Sequence, residues 1–324
     1  MTRSVARRVG KSPSKKVLVT GGMGLIGSSL ARGLLAAGWG VHVLDKYEIS
    51  IPGAKYFSGS VLDQNAVEAA VEGCDRVVHL AAILGVSNAG RNPVECLDVN
   101  IFGTRNVLES CVKMNVKRIL FSSSSEVYGE PEKVPIKETA ALLPKSEYGV
   151  SKVVGEEYCR AYSKQFALPY TIVRFFNVYG AEQRDDFVIP VFTNAAVAGR
   201  PLTVHGDGAQ VRAFCYVDDI VDGVIKLLFS PKAENEVFNI GSPGEPITML
   251  DLAEHIVKAA GQPRTLIRKI PFTSSDRTAA RDVRQRLPDI RKVQKIIGWK
   301  PKITLAEGIK RVLAYKQKHR AENL

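Results

Sequence analysis

A phenol and an ammonium stand four positions apart in Tyr148-Gly149-Val150-Ser151-Lys152. On a helix, residues at this spacing share a face. A free phenol titrates near pH 10, too high for a base at neutral pH, and a positive charge beside it favours the phenolate. Lys152 would supply that charge. The spacing alone also suits an ordinary amphipathic surface, so the pair needs support. Ser122-Ser123-Ser124-Ser125 gives it, because these residues close the apolar run Lys117–Phe121 and offer a hydroxyl that can share a substrate oxygen with the phenol.

Such groups need a scaffold and a reaction partner. Lys16-Val17-Leu18-Val19-Thr20 reads as a buried strand, followed by Gly21, Gly24 and Gly27 and then by an alanine-rich helix pattern to about Ala37, which Gly38 can close. Strand, glycine turn and helix form a dinucleotide loop. The first glycine turns the chain, the second admits a pyrophosphate to the backbone, and the third packs helix against strand. Gly40–Leu44 is a second buried strand ending in Asp45, roughly 20 residues on, as the fingerprint asks. A carboxylate there accepts hydrogen bonds from a ribose diol and repels a 2′-phosphate, which favours NAD over NADP. The nicotinamide cation would further favour the Tyr148 phenolate, and Lys152 can also hold the cofactor ribose.

The alternation continues. A helix is expected over 64–72, a strand over Arg76–Leu80 followed by the small Ala81-Ala82, and a helix from Pro93 to about Met114. A further helix over Tyr148–Phe166 and a strand over Tyr170–Phe175 follow. Repeated strand–helix units predict an α/β fold, a Rossmann-type doubly wound parallel sheet with ligands at the carboxyl ends of the strands. Beyond residue 177 prolines and glycines break the rhythm, and Thr248 is expected to cap a helix over Met249–Ala260. The reading is a basic disordered arm (1–15), an NAD-binding domain (16–176) and a smaller C-terminal substrate-binding lobe (177–324), with elements packing back on the sheet.

The 324 residues carry a net charge of +12. Part of that charge lies in the arm (Arg3, Arg7, Arg8, Lys11, Lys15) and part near the C-terminus. No aromatic–basic module accompanies it, so no nucleic-acid partner is expected, and a nucleotide diphosphate is the simpler beneficiary of the charge. No apolar run approaches the roughly 18 residues of a membrane span. The five cysteines are scattered, without a C-x-x-C pair, as in a reducing cytoplasmic compartment. The histidines show no metal-ligand spacing, and His42 and His79 read as core residues. No metal is expected.

With these pieces in place, residues 15–315 resemble an extended short-chain dehydrogenase/reductase of the NAD-dependent epimerase/dehydratase family, which acts on nucleotide sugars. The resemblance rests on Thr20–Gly27, His79-Leu80-Ala81-Ala82, Ser122–Gly129, Tyr148 with Lys152, Arg174–Gly180, Arg212–Asp219 and Phe238-Asn239-Ile240-Gly241. It implies Tyr148 as base, Lys152 as its partner, Ser124 as the hydroxyl on the sugar O4, and Glu126 as a further catalytic candidate. The implied cofactor set is Gly21, Gly24, Leu25, Ile26, Gly27, Asp45, Val61, Leu80, Ala81, Ala82, Asn100, Tyr148 and Lys152. The implied substrate set is Ser124, Ser125, Asn177, Arg184, Val188, Arg212 and Arg281, with Asn177 and Arg212 on the diphosphate. The resemblance also implies a homodimer built on the helices near 93–114 and 147–166. Two residues depart from the family: Ser60 replaces an acid, and Ala181 a proline.

All reactions of such a site begin alike. Tyr148 takes the C4 hydroxyl proton and C4 yields a hydride to NAD⁺, leaving a 4-keto sugar. A 4-epimerase acting on a UDP-hexose or UDP-uronate is the first reading. A UDP-glucuronate decarboxylase is the alternative, since Arg212–Tyr216 and Arg286–Ile290 resemble decarboxylases somewhat more than simple epimerases. A dehydratase ranks lower, because Ser125 stands where an acid is needed. A non-catalytic NAD-binding protein ranks lowest, because Ser124, Tyr148 and Lys152 are all present. Arg184, on the loop after Tyr179, is the candidate to meet a sugar carboxylate.

Overall fold

Val17, Leu18 and Val19 are fully buried, yet they face opposite ways. Val17 and Val19 join one apolar core and Leu18 another. A strand apolar on both sides must lie between two helical layers, and it does. In a computed structural model of the chain, residues 15–47, 50–84, 92–271 and 283–322 are described. Nearly all of the basic arm, and Arg281, lie outside them.

The strands in chain order are β1 (Lys16–Thr20), β2 (Gly40–Asp45), β3 (Lys55–Ser58), β4 (Arg76–His79), β5 (Arg118–Ser124) and β6 (Tyr170–Phe175). Short strands follow: β7 (Val178–Tyr179), β8 (Leu202–His205), β9 (Val211–Arg212), β10 (Cys215–Tyr216), then β11 (Glu236–Ile240), β12 (Ile247–Thr248), β13 (Ile267–Ile270) and β14 (Gln285–Arg286). The seven-stranded sheet has the order β11-β6-β5-β4-β1-β2-β3, and every pairing in it is parallel. The chain goes outward from β1 through β2 and β3 and then crosses to β4 on the other side of β1. The carboxyl ends of β1 and β4 therefore diverge, which opens a ligand crevice there.

Helix α1 (Leu25–Ala36) packs on the β1 face that bears Val17 and Val19. Helices α2 (Gln64–Val71), α3 (Pro93–Lys113) and α4 (Glu147–Phe166) cover the other face. Asp63 caps α2 by accepting from Asn65 and Ala66 N–H, and Ser146 caps α4 by accepting from Gly149 N–H. Helices α5 (Val188–Val197), α6 (Val217–Phe229), α7 (Met249–Ala259), α8 (Arg291–Ile297) and α9 (Leu305–Glu322) belong to the second half of the chain. Their apolar faces join the core of α1, so one core serves both halves.

One outcome sharpens the sequence reading and one was missed. Strand β5 runs into the serines as far as Ser124, because β6 pairs with them, Ser122 with Val173 and Ser124 with Phe175. Edge strand β3 was not anticipated; it is four residues long with both ends exposed. The second half supplies β11 to the main sheet. It also supplies β12-β9-β14, which sets Arg286 beside Arg212.

Candidate active site

The cofactor cradle begins where β1 ends. Gly21 turns at φ +68°, and a Cβ there would lie 2.6 Å from the Ala81 nitrogen, so only glycine fits both the turn and the approach. A Cβ on Gly27 would lie 2.2 Å from the Gly21 oxygen, which fixes α1 against the loop. Gly24 precedes α1, whose first turn has neither a side-chain cap nor an acid. Its N–H groups and positive dipole end suit a diphosphate. Asp45 sits at the rim, where Oδ2 accepts from Met23 N–H at 3.0 Å and Oδ1 from Tyr47 N–H at 3.1 Å. The residues present fit NAD, which supplies the hydride acceptor when bound.

Across the crevice His79 fastens β1 to α3. Thr104 Oγ1 donates to the Asn100 carbonyl at 2.6 Å, so it accepts from His79 Nε2 at 3.0 Å. Thr20 Oγ1, which accepts from Ala81 N–H at 3.3 Å, donates to His79 Nδ1 at 2.7 Å. The ring is neutral, and burial drags its pKa to about 3. His42 is likewise a core residue, bonded to the Ala70 carbonyl. Leu80, Ala81 and Ala82 form the half-buried wall beyond β4, and Val61 lies buried against Gly103. The Asn100 side chain does not open to the crevice. Its Oδ1 accepts from Ile83 N–H, and its amide donates to Ile83 O at 3.1 Å and Ser151 Oγ at 3.0 Å, so it shapes the wall.

The expected reactive groups converge at the carboxyl end of β5. The Ser124 hydroxyl acts on the Tyr148 phenol, favouring its phenolate, and Ser124 Oγ accepts from Glu126 N–H at 3.2 Å. Lys152 is 3% exposed, its Nζ 3.4 Å from Ser122 Oγ, 5.1 Å from the Phe121 ring centre and 5.6 Å from that of Tyr148. The electrostatics correct one expectation. Burial pushes the Tyr148 phenol up, and Glu126 adds to this; the Ser124 hydroxyl and the charge of Arg286 act against them. Lys152 is itself drawn down to about 8 by burial. Within the protein, then, Ser124 and Arg286 stand out as the groups favouring the phenolate.

The substrate side is more mixed. Ser125 is 2% exposed and opens the 3-10 turn Ser125–Tyr128, so it faces inward. Asn177, at φ +29°, donates to the Ala213 carbonyl, and Arg212 lies half-buried, donating to Val211 O and Arg284 O. Val188 begins α5, half-buried. Arg184 is exposed; it pairs with Asp186 and stacks 6.0 Å from the Phe187 ring. Arg281 lies outside the described residues.

A different cation reaches the reactive cluster. Arg286 Nη1 is 3.9 Å from Glu126 Oε1, its side chain is 15% exposed, and its Nε is buried without a hydrogen-bond partner. Glu126 in turn accepts from Ser146 Oγ at 2.8 Å. Arg286 is brought there by stitching: Ile136 N–H donates to Leu287 O and Asp289 N–H to Ile136 O. The sequence marked Arg286–Ile290 only as a stretch resembling decarboxylases and gave Arg286 itself no role. Among the described residues no group of three His, Cys, Asp or Glu gathers as a metal site.

The comparisons agree with this geometry. The model of the NAD dependent epimerase/dehydratase family matches residues 17–241. The UDP-N-acetyl-alpha-D-glucosaminuronate decarboxylase of Bacillus cytotoxicus is 34% identical over 318 residues, covering 93% of this chain and 97% of that protein. The UDP-glucose 4-epimerase of Thermotoga maritima, solved with UDP-glucose, superposes with a TM-score of 0.86 at 32% identity, covering 94% of this chain and 99% of that one. MoeE5, solved with UDP-glucuronic acid and NAD, superposes with the same TM-score at 29% identity and the same coverage. The chain belongs to the NAD-dependent epimerase/dehydratase family, and its cofactor is NAD.

Proposed function

We propose that the protein is an NAD-dependent UDP-sugar 4-epimerase that works through a 4-keto sugar and takes a UDP-uronate. The observation that carries the first part is the convergence of Ser124, Tyr148 and Lys152 beside the glycine cradle. Ser124 and Tyr148 hold the C4 oxygen. Tyr148 accepts its proton as the C4 hydrogen leaves as hydride, and returns it after the ketone has turned over. Lys152 orients the ribose and, when charged, favours the phenolate. Asn177 and Arg212 are placed to hold the diphosphate. Five buried, unpaired thiols suit a reducing, cytoplasmic setting.

Arg286 supports a uronate. A largely buried guanidinium whose Nε has no hydrogen-bond partner is unmatched by a neutral hexose and matched by a C6 carboxylate. A carboxylate gripped in this way keeps its charge and resists leaving as CO₂. Glu126 favours the second reading, decarboxylation. Its negative charge beside the phenol opposes a substrate carboxylate and rewards its loss, and the Bacillus cytotoxicus relative is a uronate decarboxylase. Incubation with UDP-glucuronate, followed by proton NMR of the products, decides between them. A C4-epimeric uronate is expected. UDP-pentose with CO₂ would establish the second reading, and turnover of UDP-glucose alone would overturn the uronate assignment.

A homodimer is part of the proposal. Val94 and Phe102 on α3, and Val150 on α4, are exposed, at 69%, 50% and 42%. These two adjacent helices offer apolar side chains through which a second copy would pair.

A further inference from the structure

The serine run is not redundant. Three consecutive serines of β5 each engage one residue on a single face of α4: Ser124 with Tyr148, Ser122 with Lys152, and Ser123 with Glu156. The α4 partners are spaced by four, one turn apart. Two of them are the reactive pair. The third, Glu156, has no part in the chemistry described above, and it is fully buried.

Every oxygen lone pair of Glu156 has a use. Oε1 accepts from Ser123 Oγ at 2.6 Å and from Arg174 Nε at 2.8 Å. Oε2 accepts from Arg174 Nη2 at 2.7 Å and from Arg160 Nη2 at 3.1 Å. Arg174, on β6 and 2% exposed, spends Nη1 on Tyr128 Oη at 2.8 Å and the Glu138 carbonyl at 2.9 Å. Tyr128 Oη donates to Asn239 on β11 at 2.7 Å. The bidentate pair thus ties α4 to β5 and β6, and through Tyr128 to the turn after Ser124 and to β11.

A buried ion pair is a poor way to stabilise a fold, since two apolar side chains of similar size often do as well or better. What a forked, fully bonded pair supplies is direction. It permits one axial position of α4 along β5, and reaction geometry tolerates errors of only about half an ångström.

We infer that Glu156, with Arg174 and Ser123, is a positioning unit that sets the register of Tyr148 and Lys152 against Ser124. This inference rests on the catalytic reading of those three residues. It predicts that losing the unit slows turnover without loosening the fold or the cofactor.

The test uses the full-length protein with NAD⁺ and UDP-glucuronate. Ser123→Ala removes one rung. The double variant Glu156→Met/Arg174→Met removes the pair without stranding a buried charge. Both should melt at or near the parent temperature, bind NAD⁺ within about twofold of the parent and keep KM within about threefold. For both, kcat should fall about tenfold or more. Parent-like kcat in both variants would overturn the inference, and so would a fall in kcat matched by lost stability and lost NAD⁺ binding. Tyr148→Phe is measured alongside. If it retains turnover, the catalytic reading fails and this inference with it. If it is inert beside full-speed variants, only the positioning role fails.

Discussion

Arg286 and Glu126 face each other at 3.9 Å, one on β14 from the second half of the chain and the other on the turn that follows β5. Far apart in sequence, they meet beside the Tyr148 phenol, on which both act electrostatically. Arg286→Ala should therefore lower kcat/KM for UDP-glucuronate by about 10- to 100-fold, the size of a lost charge-assisted hydrogen bond. UDP-glucose turnover, if measurable, should change far less. Equal losses on both sugars would mark Arg286 as a structural residue. Arg184→Ala should leave both nearly unchanged, because its partners are local.

Asp45 predicts cofactor choice. The carboxylate is held by Met23 and Tyr47 N–H groups at the end of β2, where a 2′-phosphate would meet like charge. Titration should show NAD⁺ binding more tightly than NADP⁺, and Asp45→Ser should narrow the difference. Tighter NADP⁺ binding by the parent protein would contradict the assignment.

Lys152 predicts a pH dependence of stability. Its native value is about 8 against an ordinary 10.5, lowered by burial. Between those values the unfolded chain holds a proton that the native state has released, so stability rises with pH across this window. Below pH 8 both states hold it, and the full cost of burying the charge is present. Lys152→Met should therefore stabilise the protein at pH 7 by roughly 3 kcal/mol, with the gain vanishing towards pH 10.5. Melting curves at pH 7 and pH 10 check the sign. The same variant should lose most turnover.

Assembly is tested on Phe102, which is half-exposed on α3. Light scattering at micromolar concentration should give a dimer for the parent and a monomer for Phe102→Glu. A monomeric parent would contradict the proposed interface.

Much of this was legible in the sequence because it is local. The glycine spacing, the strand end at Asp45 and the four-residue step from Tyr148 to Lys152 each carry their structural meaning within a few residues. The cap at Thr248 was legible for the same reason. Arg286 stood in a stretch resembling decarboxylases, but its place beside Tyr148 was not legible, because it reaches the site only through pairing with β9 and the Ile136 strap. The Arg184 expectation followed chain proximity to the substrate loop; in the structure Arg184 is exposed and pairs with the neighbouring Asp186. Glu156 had a readable spacing from Lys152, but its partners lie on β5 and β6, and no local pattern announces a buried ion pair. The phenol's electrostatics also escaped, since burial and the charges of Glu126 and Arg286 beside it are properties of the packed site.

The central claim is that C4 of a UDP-sugar is oxidised with Tyr148 as the base. It is tested most directly by mixing the NAD⁺-loaded protein with UDP-glucuronate, either unlabelled or deuterated at C4, and following absorbance at 340 nm in a single turnover. The account predicts a transient rise that deuterium slows severalfold and that Tyr148→Phe suppresses by about 10²- to 10⁴-fold. Product formation with no transient, no isotope effect and no loss in Tyr148→Phe would contradict it.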